Sequence, residues 1–164
     1  MKVVSISLRP DWDIYGMMIA QAAASRADCT RRKVGAALML KDNSIAVTGY
    51  NGGPSGGPSC LRGECPRGRK SHSELPADSP YDSGGGTCVA LHAEWNVLLR
   101  SDWSQTDQAR LFITEEPCHI CRVLISGTMI KEIIWLDPKT SEIHIEQRDG
   151  HEFVLKGKKD YHHG

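Results

Sequence analysis

Two short stretches decide how this chain folds: residues 91–99 read LHAEWNVLL, and residues 114–121 read TEEPCHIC. Together they carry one carboxylate and three metal ligands: Glu94, His92, Cys118 and Cys121. A catalytic zinc takes three protein ligands and leaves one tetrahedral position open, and an unligated carboxylate beside that position can move protons. The two stretches therefore predict a catalytic zinc on the three ligands, with Glu94 as the proton carrier.

The spacing within each stretch suits the start of a helix. Cys118 and Cys121 are three residues apart, so both sulfur atoms lie on one face of a helix, and Pro117 before them is typical of a helix start. A helix N-terminus also favours thiolates. His92 and Glu94 fit the first turn of a second helix, where one binds the metal and the other lies over the open position. We therefore expect a zinc ion that bridges two helix starts.

A C-x-x-C pair with a distant histidine has two other interpretations, a structural zinc and a redox pair. Structural sites usually close with four protein ligands, and a redox pair leaves the H-x-E element at 92–94 without a role. We therefore favour an enzyme. A non-catalytic, zinc-stabilised binding module stays open as the alternative, and in it Glu94 only complements the helix dipole.

The composition limits the kinds of protein that this chain can be. Its 164 residues suit a single domain over 1–164. Twenty basic and twenty acidic residues give a formal charge of +0, which argues against nucleic acid as a partner. The N-terminal apolar run is too short for a signal peptide, and no stretch reaches membrane-spanning length. Six cysteines without a secretory signal indicate a reducing compartment, so we expect a cytoplasmic protein with no membrane partner.

Apolar periodicity predicts alternating helices and strands, an order typical of an α/β sandwich. A loop rich in glycine and proline interrupts this order at 49–86, and a loop of this length is usually functional or tied down. The tail predicts two further strands around a tight turn, with a frayed end at 155–164. In chain order we predict a helix at 11–27, a hairpin of strands at 34–40 and 44–48, a helix at 92–100, a strand at 111–114, a helix at 118–126 and a strand at 132–135.

The pattern H-x-E followed by P-C-x-x-C is the signature of zinc nucleobase deaminases. Three segments make the match more specific: CTRRKVGAALM at 29–39, TGYNGGPSGG at 48–57 and VALHAEWNVLL at 89–99. On these residues the chain, from about Asp11 to Trp135, resembles the cytidine and deoxycytidylate deaminase superfamily, and its deoxycytidylate (dCMP) deaminase branch most closely. The resemblance implies a three-layer α/β/α sandwich around a mixed sheet, cytidine-deaminase-like, and hydrolysis of dCMP to dUMP and ammonia.

The resemblance also implies which residues bind the substrate. Asn51 is expected to hold the sugar hydroxyl, although Asn-Gly is also a turn signal, and the backbone around Ala93 is expected to read the base edge. Three basic residues near the strand predicted at 34–40 are candidates for a clamp on the 5′-phosphate, with a solvated charge cluster as the alternative. These are Arg26, Arg31 and Lys33.

Two further sites rest on the resemblance alone. Many dCMP deaminases bind a nucleoside triphosphate effector, dCTP or dTTP with Mg²⁺, at one glycine-rich segment. The matching residues of this chain are Gly52, Gly53, Gly56 and Gly57, and a flexible connector is the alternative for them. Some members carry a second, structural zinc that ties the long loop to the first helix. Their cysteines match Cys29 and Cys60 of this chain. A zinc held by Cys29, Cys60, Cys65 and Cys88 would explain how the long loop is kept in order, with free buried thiols as the alternative.

The resemblance also implies that this protein forms a homo-oligomer, with a hexamer favoured.

The chain departs from the family pattern in two places. Glu115 and Glu116 precede Pro117, as in related tRNA adenosine, guanine and riboflavin-pathway deaminases, so another base, or free cytidine, stays open as substrate. After Trp135 the tail lacks the usual amphipathic helix, so subunit contacts or substrate closure made by that region are expected to differ.

Overall fold

The computed structural model describes residues 9–80 and 87–162, which form a mixed six-stranded sheet covered by helices. No helix in these two ranges has the length and apolar character needed to cross a membrane. The elements in chain order are α1 (Trp12–Ala24), β1 (Gly35–Met39), β2 (Ile45–Tyr50), α2 (Ala93–Arg100), a 3₁₀ turn (Trp103–Thr106), β3 (Arg110–Ile113), α3 (His119–Ser126), β4 (Glu132–Asp137), β5 (Glu142–Asp149) and β6 (Glu152–Asp160).

The strands lie in the order β2-β1-β3-β4-β5-β6. Only β3 and β4 run parallel, and the other four neighbouring pairs are antiparallel. A parallel pair needs a crossover connection, and α3 supplies it. The start of α3 therefore lies beyond the carboxyl end of β3, next to the start of α2.

Helices cover both faces of the sheet because successive strand residues point to opposite sides. On one face Met17 of α1 packs in a cluster with Phe112. On the other face Val97 of α2 and Ile125 of α3 pack in a cluster with Leu111. The predicted three-layer α/β/α sandwich around a mixed sheet is therefore confirmed.

Two glycines allow α1 to lie close to the sheet. A Cβ atom on Gly35 would clash with the carbonyl oxygen of Ala20, and one on Gly16 would clash with the ring of Phe112. The close approach of α1 to β1 fixes the segment between them, residues 25–34, which contains the predicted basic cluster.

The tail forms the predicted strand, turn and strand, but the expectation of a frayed end at 155–164 is wrong for residues 155–161. β6 continues to Asp160, and Tyr161 is 7% exposed. The Lys159 ammonium lies 3.1 Å from a carboxylate oxygen of Asp11 and 2.8 Å from one of Asp13. The sequence is polar here because β6 is an edge strand. Its end is held by these ion pairs at the start of α1 and by the buried ring of Tyr161.

Candidate active site

The three predicted metal ligands meet where two helices begin. His92 precedes α2 as its N-cap, Cys118 is the N-cap of α3, and Cys121 lies in the first turn of α3. His92 Nδ1 lies 3.6 Å from Cys118 Sγ and 3.3 Å from Cys121 Sγ. Zinc bonds of roughly 2.0–2.3 Å in a tetrahedron place two ligand atoms about 3.6 Å apart, so the cluster fits zinc in both its distances and its donor atoms.

Local contacts hold the helix start that carries His92. The imidazole stacks on the indole of Trp95, with ring centroids 4.2 Å apart and planes 8° apart. The side-chain amide of Asn96 donates a 2.8 Å hydrogen bond to the carbonyl oxygen of Tyr50, at the end of β2. These contacts fix α2 against the sheet and set the direction of the histidine ring.

Glu94 is the fourth member of the site, and its side chain is only 4% exposed. Burial raises the pKa of Glu94 to about 7; its own backbone N–H and Cys121 oppose this shift, and the charge of Glu115 adds to it. A carboxyl group with a pKa in this range exchanges protons readily at neutral pH. The structure therefore places a buried carboxyl group beside the three predicted ligands, and its role as the proton carrier stays a prediction.

Burial also sets the protonation of two ligands. It lowers the pKa of His92 to about 4, with a smaller contribution from the charge of Arg32, so the imidazole is neutral at pH 7, as a metal ligand must be. Burial, followed by the charges of Glu94 and Cys118, raises the pKa of the Cys121 thiol. Coordination by a divalent cation has the opposite effect and deprotonates a thiol outright.

A small inner pocket beside Glu94 opens into a wider cleft of about 650 Å³. The inner pocket is lined by Arg32, Val34, His92, Ala93, Glu94, Glu115, Glu116 and Cys118. The outer cleft shares Arg32, Glu115 and Glu116 with it and adds Arg31, Lys33, Ala77, Asp78, Trp135, Asp137, Pro138 and Lys139.

The three predicted phosphate ligands lie in different places. Lys33 is exposed in the outer cleft. Arg31 borders the same cleft, but its guanidinium donates to the carbonyl oxygens of Lys70 at 3.1 Å, Leu75 at 2.5 Å and Pro76 at 2.9 Å, so it holds the long loop. Arg26 is exposed after the end of α1 and lines neither the pocket nor the cleft.

Asn51 is fully buried and supports the wall of the inner pocket. Its Oδ1 accepts a 2.8 Å hydrogen bond from the backbone N–H of Val34, and its Nδ2 donates to the carbonyl oxygen of Arg32 at 3.0 Å. The side chain thus fixes the backbone of both lining residues. Its role towards a sugar hydroxyl stays a prediction.

The glycine-rich segment is an ordered turn. Gly52 forms an isolated antiparallel bridge with Leu91, directly before the histidine ligand. The N–H of Gly57 donates to the carbonyl oxygen of Pro54 at 2.9 Å, and Gly56 has a φ of 76°, which glycine adopts without strain. Gly53 lies close to Pro58 in the same turn. Binding of an effector at this segment stays a prediction.

The four remaining cysteines gather around one small cavity: Cys29, Cys60, Cys65 and Cys88. Backbone N–H groups point at their sulfur atoms, for example from Thr30 to Cys60 at 3.4 Å and from Gly68 to Cys65 at 3.3 Å. Within residues 9–80 and 87–162, however, the group whose metal-ligand atoms all lie within 4.8 Å of one another is His92 with Cys118 and Cys121. A second zinc on the four cysteines therefore stays a prediction.

Sequence reasoning missed two residues of the cleft. Arg32 lies 3.7 Å from a carboxylate oxygen of Glu115, across the opening of the inner pocket. Trp135, at the carboxyl half of β4, forms part of the outer wall. Arg32 lies between Arg31 and Lys33, which the sequence analysis did propose. The backbone path decides which of these three consecutive basic side chains faces the pocket, and the sequence does not show that path.

A buried carboxylate beside an open three-ligand centre, between two helix starts on a mixed sheet, defines a zinc-dependent hydrolase of the deaminase type. Residues 10–137 match the family model for the cytidine and deoxycytidylate deaminase zinc-binding region. The chain belongs to this family.

Relatives and a solved structure give the same result. The chain is 45% identical over 133 residues to a deoxycytidylate deaminase of Mycobacterium phage D29, an alignment that covers 81% of this chain and 98% of that protein. It is 38% identical over 128 residues to the deoxycytidylate deaminase of Schizosaccharomyces pombe, with 77% and 37% covered. The crystal structure of a dCMP deaminase from the cyanophage S-TIM5, in complex with dCMP and dUMP, aligns with a TM-score of 0.56 at 27% identity, covering 79% of this chain and 83% of that one.

Proposed function

We propose that the protein is a zinc-dependent dCMP deaminase, which hydrolyses dCMP to dUMP and ammonia. The observation that carries this proposal is the burial of Glu94 in the same pocket as the predicted zinc ligands, because a carboxyl group there could carry protons for a water on the metal. The similarity to a phage deoxycytidylate deaminase over 98% of that protein supports the same substrate.

His92, Cys118 and Cys121 would hold the zinc, which when bound supplies the Lewis acidity that makes water a nucleophile at neutral pH. Glu94 accepts a proton from the attacking water and delivers it to N3 of the cytosine ring, while the oxygen bonds to C4. It then takes the remaining proton of the new C4 hydroxyl and passes it to the amino group, so that the C4–N bond breaks, the C4 carbonyl forms and ammonia leaves. A carboxyl group with a pKa of about 7 is suited to both the acceptor and the donor step.

The two-part cavity suits a nucleotide. The inner pocket beside Glu94 would take the base, with the backbone of Ala93 at its edge. The outer cleft, with Lys33 and Arg32 on its walls, would take the sugar phosphate, because ammonium and guanidinium groups match phosphate in charge and geometry. Among the predicted basic residues, the position of Lys33 supports this role best.

The four-cysteine cavity supports a second, structural zinc. The N–H groups that point at the sulfur atoms stabilise thiolates, and such a metal would hold a loop that has no regular helix or strand over residues 53–80. Six cysteines without a disulfide in the described residues suit a reducing compartment such as the cytoplasm.

Assembly into a homo-oligomer and control by dCTP or dTTP with Mg²⁺ are further proposals. Exposed apolar side chains on α3, from Ile120, Val123 and Leu124, support contacts between subunits. The effectors rest on the family resemblance of the Gly52 to Gly57 segment.

A deamination assay with the zinc-loaded protein tests the proposed function. We expect dCMP to be the best substrate among dCMP, deoxycytidine, cytidine, guanine and a tRNA stem-loop, and we expect a chelator to abolish turnover until zinc is restored. Preference for another member of this set would reject dCMP as the substrate. No turnover of any of them by fully loaded protein would favour the binding module.

A further inference from the structure

The indole of Trp135 is held in the cleft wall by two residues of β5. Its Nε1–H donates a 2.8 Å hydrogen bond to Glu146 Oε1. His144 stacks on the ring, with centroids 3.9 Å apart and planes 25° apart. His144 and Glu146 are two positions apart on one strand and therefore face the same side. All three side chains are buried, at 7–8% exposure.

The carboxylate of Glu146 also reaches α3. Arg122 donates to it from both terminal nitrogens, at 2.6 Å and 3.1 Å. Arg122 follows the ligand Cys121 directly, and it lies 3.4 Å from Glu116, which lines the inner pocket. One carboxylate thus connects the outer cleft wall, through Trp135, with the helix that carries two metal ligands.

This network lies partly outside the residues that match the family model. The family model ends at residue 137, whereas His144 and Glu146 belong to the hairpin that follows it. A buried ion pair adds little stability compared with apolar packing of the same volume, and its best-supported use is to fix one arrangement of the groups around it. The placement of Glu146 between Trp135 and Arg122 therefore points to a role in fixing the geometry of the cleft wall, beside any contribution to stability.

We propose that Glu146 is a positioning residue of the active site, which fixes the indole of Trp135 as the cleft surface that a bound nucleotide contacts. The proposal rests on the proposed function, because it takes dCMP as the ligand of the cleft. Trp135 lies in the outer cleft and away from the proton carrier, so loss of its support should weaken substrate binding more than it slows the chemical step.

The test compares kcat and KM for dCMP among full-length, zinc-loaded variants, well below their melting temperatures. Glu146→Leu removes the hydrogen-bond acceptor and the charge. We expect its KM to rise about tenfold, which corresponds to the free energy of about one hydrogen bond, and its kcat to stay within about threefold of wild type. Glu146→Gln keeps an acceptor for the indole N–H and should restore most of the lost affinity. Glu142→Leu is the matched control, because Glu142 pairs with Lys158 on the same hairpin.

If Glu146→Leu does not fold, Trp135→Phe still tests the proposal. Phenylalanine keeps an aromatic ring at position 135 but has no N–H to donate to Glu146. Its KM should rise like that of Glu146→Leu, and the double variant should be no worse than the poorer single variant. An unchanged KM in both single variants, or a double-variant KM equal to the product of the two single effects, would overturn the positioning role. Absence of dCMP turnover in the wild type would instead reject the proposed function.

Discussion

The hydroxyl of Tyr161 donates a 2.7 Å hydrogen bond to Oε1 of Gln21, and this contact joins the end of the last strand to the first helix. The ring of Tyr161 belongs to the apolar cluster between α1 and the sheet. Tyr161, near the end of the described residues, therefore completes the core between α1 and the sheet.

We predict that Tyr161→Ala lowers the free energy of unfolding by about 3 kcal/mol, because it leaves a cavity in this cluster. Tyr161→Phe should lower it by about 1 kcal/mol, since only the hydrogen bond is lost. Urea titration followed by circular dichroism measures both values. Unchanged stability of Tyr161→Ala would mean that the tail does not contribute to the core.

Glu94→Gln should fold and keep zinc but lose turnover of dCMP by roughly 100-fold or more, equivalent to about 3 kcal/mol in the activation barrier. The amide has nearly the same shape as the carboxyl group but cannot accept and return protons. Steady-state kinetics and elemental analysis on one preparation provide the test. A rate above about a tenth of wild type with full zinc content would exclude Glu94 as the proton carrier.

Cys118→Ala and Cys121→Ala should lose the catalytic zinc and all turnover. Cys65→Ala and Cys88→Ala should instead stay active at low temperature and melt earlier, because a loop zinc contributes folding energy and no chemistry. Zinc content per chain and thermal melts separate the two groups. A single zinc per fully loaded wild-type chain would eliminate the second site.

Lys33→Gln and Arg32→Gln should reduce kcat/KM for dCMP by about tenfold or more and leave deoxycytidine turnover nearly unchanged, because only dCMP carries the phosphate. Arg26→Gln is the matched control, since Arg26 is exposed and lines neither cavity. Asn51→Ala should reduce turnover of both substrates, because Asn51 holds the pocket wall. Equal efficiency of the wild type on the two substrates would argue against a nucleotide-level enzyme.

The charge on Glu146 should make stability depend on pH. Burial acts to raise the pKa of Glu146, but hydrogen bonds from Arg122 and Trp135 and the charge of Arg122 outweigh it, so the pKa lies below its ordinary value of 4.5. Its contribution is therefore complete above about pH 4.5 and is lost as the pH falls through the lower folded-state pKa. The stability difference between wild type and Glu146→Gln should shrink over this acid range, and a difference that is constant with pH would contradict the ion pair.

The candidate metal centre was predictable from the sequence because a metal site needs particular side chains at short, fixed spacings. His92 and Glu94 lie two residues apart, and Cys118 and Cys121 three apart, so local helix geometry suffices to bring each pair together. The helices and strands were predicted to within a few residues for the same reason, since their apolar periods are local.

The cleft was not predictable in the same way. Trp135 faces His144 through the β4–β5 register, which depends on the turn between the strands and not on either residue alone. Arg31, adjacent to Arg32, is directed into the long loop, whose path has no periodic signal. The positions of Trp135 and Arg31 therefore depend on the pairing of strands and on the path of the long loop, and neither can be read from local sequence.

The position of β6 at the edge of the sheet affects how copies of this protein meet at high concentration. An edge strand of nine residues is a template on which another chain can add a strand, and Val154 and Leu155 are exposed along it, at 40% and 49%. Lys156, Lys158 and Lys159 follow them on the same strand. A second strand added along this edge would crowd the charge of Lys156 and disturb the ion pairs of Lys158 and Lys159. The lysines that made the tail look unstructured are therefore expected to disfavour aggregation through this edge.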